Sequence, residues 1–506
     1  MGLKNLQDQG IVGIHATQVP NAKHRLLLKK YGFIREVSKG WYIATDPTEK
    51  EGETTAWYSA YWDFVAAFLN YKYGNNWCIS ADQSLLLHAG NNTVPKQLIV
   101  RSPKANNKPS PLPFDTSVFN YKTNIPTEEL IVVENEMRFY NKQAALIYCS
   151  PAIYITNAID VRAILSTIRN ASEVLHILLL KEHITIAGRL AGAFRNMGQD
   201  KIANEIIETF KQADYDIREQ DPFTHTLPLA LPHRERSPYA NRIRLMWSEM
   251  RETVIKIFPN PPKNAQSVNA YLQTIDDMYI TDAYHSLSIE RYQVTPELIT
   301  RVSSGAWNLK ENKEDRKQRD AMAARGYYQA FKQVKESIQK ILQGANAGEQ
   351  ADIDHDRWYR ELFDPSVAAG ILEPSDLAGY RNQQVYIGNS KHVPLKVEAM
   401  RDAMPVLFEL LIEEPEASVR AVLGHFVFVF IHPYMDGNGR MARFLMNAML
   451  ASGGYPWTVI PVQQRTQYMH ALEHASVEQN IEPFAHFIGQ IVDNNMKGKK
   501  GAQLPK

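Results

Sequence analysis

Val422-Leu423-Gly424-His425-Phe426-Val427-Phe428-Val429-Phe430-Ile431 runs directly into His432-Pro433-Tyr434-Met435-Asp436-Gly437-Asn438-Gly439-Arg440-Met441-Ala442-Arg443. The first ten residues are too apolar for a surface helix and predict a buried one. Pro433 stops it. Asp436-Gly437-Asn438-Gly439 is a turn that needs unusual backbone angles, and residues 443–450 predict a second apolar helix. Two glycines flanking Asn438 expose successive backbone N–H groups at the start of that helix. Such a nest favours an anion, because unpaired donors and the helix dipole act in the same direction.

The side chains around the nest each have a chemical use. Arg440 and Arg443 lie three apart on one helix face, where both guanidinium forks can meet phosphate oxygens. Asp436 is a hard oxygen donor suited to Mg²⁺ bridging two phosphates. His432 sits at the rim, where a neutral imidazole can take a proton from an incoming hydroxyl. A base, a carboxylate, an anion nest and two arginines within twelve residues describe phosphotransfer chemistry. A purely structural turn explains only the glycines.

The segment resembles the motif of the Fic family, HPFx(D/E)GN(G/K)R, with Tyr434 in place of Phe. The likeness extends to Gly379-Tyr380-Arg381, and to Arg465, Tyr468 and Pro483-Phe484 near the end. It also takes in residues 384–394, which look like the family's target-docking flap and include Ile387, Gly388, Asn389, Ser390 and His392. The resemblance implies an all-α Fic domain with a β-hairpin flap. It implies His432 as general base, Asp436 as Mg²⁺ ligand, and Gly437, Asn438 and Gly439 around the α-phosphate. Arg440 and Arg443 would take the β- and γ-phosphates. ATP would be the co-substrate, and AMP would pass to a Ser, Thr or Tyr hydroxyl of a target protein. Gly439 resembles the AMP-transferring branch, since members with Lys there can act as phosphotransferases with the nucleotide turned round. Removal of AMP, or use of UTP or CTP, stays open at the same site. Helical Fic cores often associate, so a homodimer is also allowed.

Ser286-Leu287-Ser288-Ile289-Glu290 ends a helical stretch that begins near Val268. Ser286 and Glu290 are spaced i, i+4 and share a face. The segment resembles the inhibitory motif of Fic proteins, (S/T)xxxE(G/N), whose Glu pairs with the second arginine of the catalytic loop. The sequence departs from that pattern at Arg291, where Gly or Asn is usual.

The whole chain predicts a multidomain α+β protein. Its 506 residues exceed one hydrophobic core. Hydrophobic residues at 44% and charged residues at 22% are ordinary for globular protein. A net charge of +1 confines any nucleic-acid contact to a local patch. Cys78 and Cys149 are too few for a disulfide framework and too far apart for a Cys-based zinc site, so both are expected as buried thiols. No apolar run reaches about 18 residues. The N-terminus lacks a signal-peptide pattern and has Leu6 where myristoylation wants Ser or Thr. The expectation is a cytoplasmic protein with no membrane contact.

Residues 1–50 predict a winged-helix-like domain: helical periodicity over 5–30, then strands in Tyr31-Gly32-Phe33-Ile34-Arg35 and Trp41-Tyr42-Ile43-Ala44 about a Lys39-Gly40 turn. Eight Lys or Arg against four Asp or Glu make this piece a candidate contact for DNA or a protein partner. Residues 51–220 predict an α+β domain, with a Pro- and Asn-rich loop over 102–113. The two N-terminal parts together, including Ser84-Leu85-Leu86-Leu87-His88 and Pro95-Lys96-Gln97-Leu98-Ile99-Val100, resemble the AbiEi antitoxin family of transcriptional regulators. A Pro-rich connector over 221–265, the Fic-like domain over 266–495 and a basic tail over 496–506 complete the order. An alternative function is therefore a transcriptional regulator or antitoxin-like protein with a sensory Fic domain. Another rival is His470-Ala471-Leu472-Glu473-His474, which fits the inverted zincin pattern but brings no third ligand by sequence.

Overall fold

A computed structural model describes residues 3–48, 52–226, 237–263, 266–304, 319–499 and 501–505. The chain divides into two compact units, Met1–Leu245 with Tyr386–Pro394, and Met246–Val385 with Leu395–Lys506.

The first unit opens with α1 (Leu3–Asp8), β1 (Ile14–His15), α2 (Ala22–Lys30), β2 (Ile34–Ser38) and β3 (Trp41–Ala44). The strands form an antiparallel sheet in the order β1-β3-β2, and the β2–β3 hairpin turns at Gly40, whose φ of 76° suits glycine. Asn21 caps α2 by accepting from the His24 N–H. The next helix, α3 (Thr55–Tyr73), packs its aromatic face on this sheet: Trp41 meets Phe64 and Phe68 edge-on. Residues on either side of position 50 thus share one core.

Then follow β4 (Cys78–Ile79), α4 (Ala81–His88), β5 (Gln97–Ser102), β6 (Lys108–Leu112) and β7 (Thr116–Lys122), in the sheet order β4-β5-β7-β6. The stretch 102–113, expected as a loop, therefore contains a strand. Pro109 and Pro111 are compatible with it because β6 is an edge strand and pairs on one side only. A short ladder of β8 (Ile131–Glu134) and β9 (Met137–Tyr140) leads into six helices. These are α5 (Lys142–Tyr148), α6 (Ile153–Thr156), α7 (Ala158–Leu165), α8 (Ser172–Leu180), α9 (Ile184–Asn196) and α10 (Asp200–Gln212). Both cysteines are buried free thiols.

The expected connector over 221–265 contains a 20-residue helix, α11 (Pro238–Ile257). Pro238 opens it, where a missing N–H breaks no intrahelical bond. Two of the prolines that suggested a linker, Pro228 and Pro232, lie outside the described residues. The start of α11 is fixed by a buried ion pair, Arg242 Nε to Asp160 at 2.7 Å.

The second unit is helical: α12 (Val268–Ile289), α13 (Pro296–Ser303), α14 (Arg319–Leu342), α15 (Ala347–Ala368), α16 (Val397–Glu413), α17 (Ala417–Ile431), α18 (Asn438–Ser452), α19 (Arg465–Val477) and α20 (Glu482–Met496). The β-hairpin expected as a flap within 384–394 is not formed, and the segment is an irregular loop. Its main chain finds partners other than a facing strand. Ser390 N–H donates to the Ile387 carbonyl in a tight turn, and the Lys391 carbonyl accepts from Val94 N–H. No helix among the described residues is long and apolar enough to cross a membrane.

Helix α14 crosses α15 closely at Gly326, where an added Cβ would collide with the Leu362 carbonyl. That crossing places Tyr359 and Phe363 of α15. Gly326→Ala should cost about 2 kcal/mol, the magnitude of an overpacked core, and lower the thermal midpoint; an unchanged midpoint would show that the helices can separate freely here.

Candidate active site

Helix α17 is buried along nearly its whole length and ends where His432 takes a left-handed conformation, φ 56° and ψ 62°. That conformation disfavours a residue with a Cβ by roughly 1–2 kcal/mol, so the surroundings must enforce it. Arg381 does so from outside the turn. Its N–H donates to the Pro433 carbonyl and its Nε to the His432 carbonyl, both at 2.8 Å.

The His432 ring lies with Nδ1 3.1 Å from the Val429 carbonyl. A carbonyl can only accept, so Nδ1 carries the proton and the basic lone pair is on Nε2. Burial pushes the imidazole down to about 4; the Val429 bond opposes this, and the Arg381 charge adds to it. A base whose pKa is lowered stays neutral above that value, so His432 can accept a proton across the physiological range.

The turn is braced by Asn438. Tyr434 N–H donates to its Oδ1 at 2.9 Å, and its Nδ2 donates to the Tyr434 carbonyl at 2.8 Å. The expected α-phosphate role can therefore fall only to the Asn438 backbone, because its side chain is committed to the loop. The Tyr434 ring stacks on Tyr359 with centroids 3.8 Å apart and planes 5° off parallel, as suits a core anchor. Gly437 has φ 84°, and a Cβ there would run into the Phe363 ring. Helix α18 begins at Asn438, earlier than residue 443 as expected, so Gly439 and Arg440 belong to its first turn. The N–H groups of that turn have no partner within the helix.

Asp436 is more than half exposed, at 57%. Its Oδ1 accepts from Gly437 N–H at 2.7 Å, and its Oδ2 accepts from Arg440 Nη2 at 3.1 Å. A single accessible carboxylate beside an anion nest fits Mg²⁺, which takes one or two carboxylates and otherwise phosphates and water. Asp436 would be the residue to hold it. Among the described residues no group of three or more His, Cys, Asp or Glu is arranged to hold a metal ion. His474 of the zincin-like stretch is turned to Glu478 at 2.8 Å.

Both arginines are buried. Arg440 lies between the Tyr292 and Phe363 rings, 5.1 and 5.0 Å from their centroids. Arg443 donates from Nε to Ser286 Oγ at 2.8 Å, and from Nη2 to the Ser286 carbonyl at 3.1 Å and Glu290 Oε1 at 2.8 Å. Among the described residues its Nη1 meets no acceptor at hydrogen-bond geometry. Ser286 and Glu290 stand at the end of α12 as their spacing predicts, and Arg465 caps that end by donating to the Ile289 carbonyl at 2.7 Å. Glu290 Oε1 also takes the space that a Cβ on Gly439 would need, so the carboxylate lies against the first turn of α18.

At the departure from the usual pattern, Arg291, the backbone still takes the turn that Gly or Asn would make. This residue has φ 67°, the conformation in which Gly or Asn is at ease. The residues expected as a flap fall in the first unit. Ile387 is half-buried, Gly388 and Asn389 are exposed, and Ser390 and His392 are buried. Asn389 Oδ1 accepts from Thr54 N–H at 3.1 Å, and Asn389 N–H donates to Thr55 Oγ1 at 3.2 Å.

The model of the Fic/DOC family matches residues 354–450. This stretch is a Fic domain. It contains residues 432–443, whereas Ser286 and Glu290 fall outside the matched stretch. Among curated relatives, protein adenylyltransferase Fic of Drosophila grimshawi is 38% identical over 131 residues and that of Drosophila willistoni 37% over the same length. Each alignment covers 25% of this chain and 26% of the relative, so the chain spans about a quarter of the curated proteins it matches. Among solved structures, a segment of Fic-1 from C. elegans aligns with a TM-score of 0.38 and 15% identity, over 67% of this chain and 87% of that one.

Spacing along the chain could not reveal Tyr292, Tyr359 and Phe363, which reach the Fic domain's loop from two separate segments. Arg381 was visible as part of the resemblance, but its partners were not.

Two outcomes are expected. The His432 ring nitrogens, followed by NMR, should show the neutral Nδ1–H tautomer from about pH 8 to 5 and titrate near 4; titration near 6.5 would contradict the buried setting. Arg291→Gly should raise stability by about 1 kcal/mol, read from the denaturant midpoint, and a loss instead would show that the Arg291 side chain carries more than its backbone strain.

Proposed function

We propose that this protein moves AMP from ATP to a hydroxyl side chain of a target protein, and that Glu290 restrains the reaction from within the chain. The observation that carries this reading is the single turn that joins a neutral base to a helix N-terminus and two buried arginines. The names of the curated relatives support the same chemistry.

In the proposed reaction the target oxygen attacks the α-phosphorus as His432 Nε2 takes its proton. The bond from the α-phosphorus to the bridging oxygen breaks, and pyrophosphate leaves. The first-turn N–H groups of α18 would hold α-phosphate oxygens, while Arg440 and Arg443 would neutralise the departing pyrophosphate. Mg²⁺ on Asp436 would add charge neutralisation at the phosphates. Gly439 leaves the helix start open to such a ligand, since a longer side chain would fill the space against Glu290.

The restraint follows from charge and space. Glu290 takes one fork of Arg443 and lies over the helix start that a phosphate would need. A phosphate oxygen and a carboxylate oxygen compete for the same donors, and both cannot be there at once. Ser286 holds Arg443 in the orientation that Glu290 uses.

A DNA-binding role for the N-terminal region has less support. No residue of α2 is buried, but two of its cations are already engaged within the chain: Arg25 donates to the Val19 carbonyl, and Lys29 pairs with Glu36 at 2.8 Å on the surface. A salt-dependent mobility shift with duplex DNA would establish that role.

Intact mass after incubation with ATP and Mg²⁺ tests the main reading. Glu290→Gly should increase AMP incorporation by at least about tenfold, the equivalent of 1.4 kcal/mol of lost competition. Ser286→Ala should give a smaller increase of about fivefold, as for one hydrogen bond of 1 kcal/mol. His432→Ala should abolish incorporation in every background. Equal incorporation with and without Glu290 would remove the restraint, and incorporation that survives His432→Ala would remove the base.

A further inference from the structure

Arg381 is 1% exposed, yet its guanidinium faces no carboxylate among its bonded partners; every bond it makes is to a main-chain carbonyl. Nε donates to His432 at 2.8 Å, Nη1 to Gln383 at 2.9 Å and Nη2 to Leu395. The Arg381 N–H adds a bond to Pro433 at 2.8 Å. Gln383 and Leu395 are the residues on either side of the 384–394 loop. One side chain thus closes the base of that loop and, on its other edge, holds the carbonyl of the residue proposed as base.

Burying an unpaired guanidinium is costly, and burial lowers its pKa to about 10. A structural brace between carbonyls needs no charge, so a neutral amide or ordinary loop packing would serve that purpose at lower cost. What the planar fork adds is rigidity: three nitrogens in one plane fix the directions of three carbonyls relative to one another. The left-handed conformation at His432 needs such enforcement, and the two loop stems are fixed in the same plane.

We propose that Arg381 is a positioning residue that couples the 384–394 loop to His432, so that displacement of the loop base and of the imidazole occur together. The inference rests on the proposed roles of His432 as base and of the loop as the target-docking flap. Through this coupling, a change at the loop stems Gln383 and Leu395 would be felt at the imidazole. Binding of ATP, which falls to α18 and its arginines, would be left alone.

The test uses the full chain carrying Glu290→Gly, with Arg381→Gln and Arg381→Lys added separately. Three quantities are measured: ATP affinity, AMP incorporation, and hydrogen exchange in peptides covering 383–395 and 432–434. Arg381→Gln should reduce incorporation by about 100-fold, the cost of misplacing a reacting group by an ångström. ATP affinity should stay within about threefold, marking a loss confined to the transfer step. Exchange should accelerate in both peptides. Arg381→Lys, which keeps the charge but not the fork, should fall between and serves if the Gln variant does not fold. Acceleration in only one of the two peptides would overturn the coupling. So would ATP affinity falling as steeply as incorporation, which would make Arg381 a support of the phosphate turn. If the Glu290→Gly parent transfers no AMP at all, the proposed function fails, while the exchange arm still decides the coupling.

Discussion

Between Ile431 and Asn438 the chain leaves one buried helix and enters another, and the whole site depends on how that passage is made. A left-handed residue at His432 turns the chain out of α17, and a left-handed glycine at 437 turns it into α18. Neither turn is held by its own residues alone. The first needs Arg381 on the His432 and Pro433 carbonyls, and the second needs the Asn438 brace on Tyr434 and the Phe363 ring beneath Gly437. With those supports the imidazole and the open N-terminus of α18 are fixed within one short loop. Without them they would be two polar features on a flexible connection.

Three guanidiniums are buried around this loop, and each is kept charged by different means. Arg381 is held by carbonyls, Arg440 by Asp436 and two aromatic faces, and Arg443 by Ser286 and Glu290. The differences have chemical consequences. Carbonyls and rings cannot leave their places, so Arg381 and Arg440 are fixed. Glu290 is a helix-end residue with a partly exposed side chain, and under the proposed restraint a phosphate would take its place on Arg443. The arrangement places the replaceable contact at the helix start that would meet phosphate.

Much of this could be read along the chain. The apolar run before His432, the proline, the paired glycines and the arginine spacing all act locally, through periodicity and backbone freedom, so they predict helix, turn and helix in order. The i, i+4 spacing likewise put Ser286 and Glu290 on one face. Local patterns were less reliable where pairing decides structure. Prolines and asparagines argued for a loop at 102–113, but an edge position lets Pro109 and Pro111 sit in β6. The family resemblance implied a hairpin within 384–394, yet the partners of that segment are single residues elsewhere, so no ladder forms.

By itself, then, the amino-acid order determined the two helices, the turn between them, the inventory of charged and titratable groups, and the placement of Glu290 at a helix end. These follow from interactions over a few residues. Only the tertiary structure decided that Glu290 reaches Arg443, that Asn438 braces the loop with its side chain, and that Arg381 ties His432 to the base of the 384–394 loop. Each of those joins segments many residues apart, and burial then makes the pairing matter. A charge or amide removed from water must find its partner in whatever element packing brings beside it, and no spacing along the chain specifies which element that is.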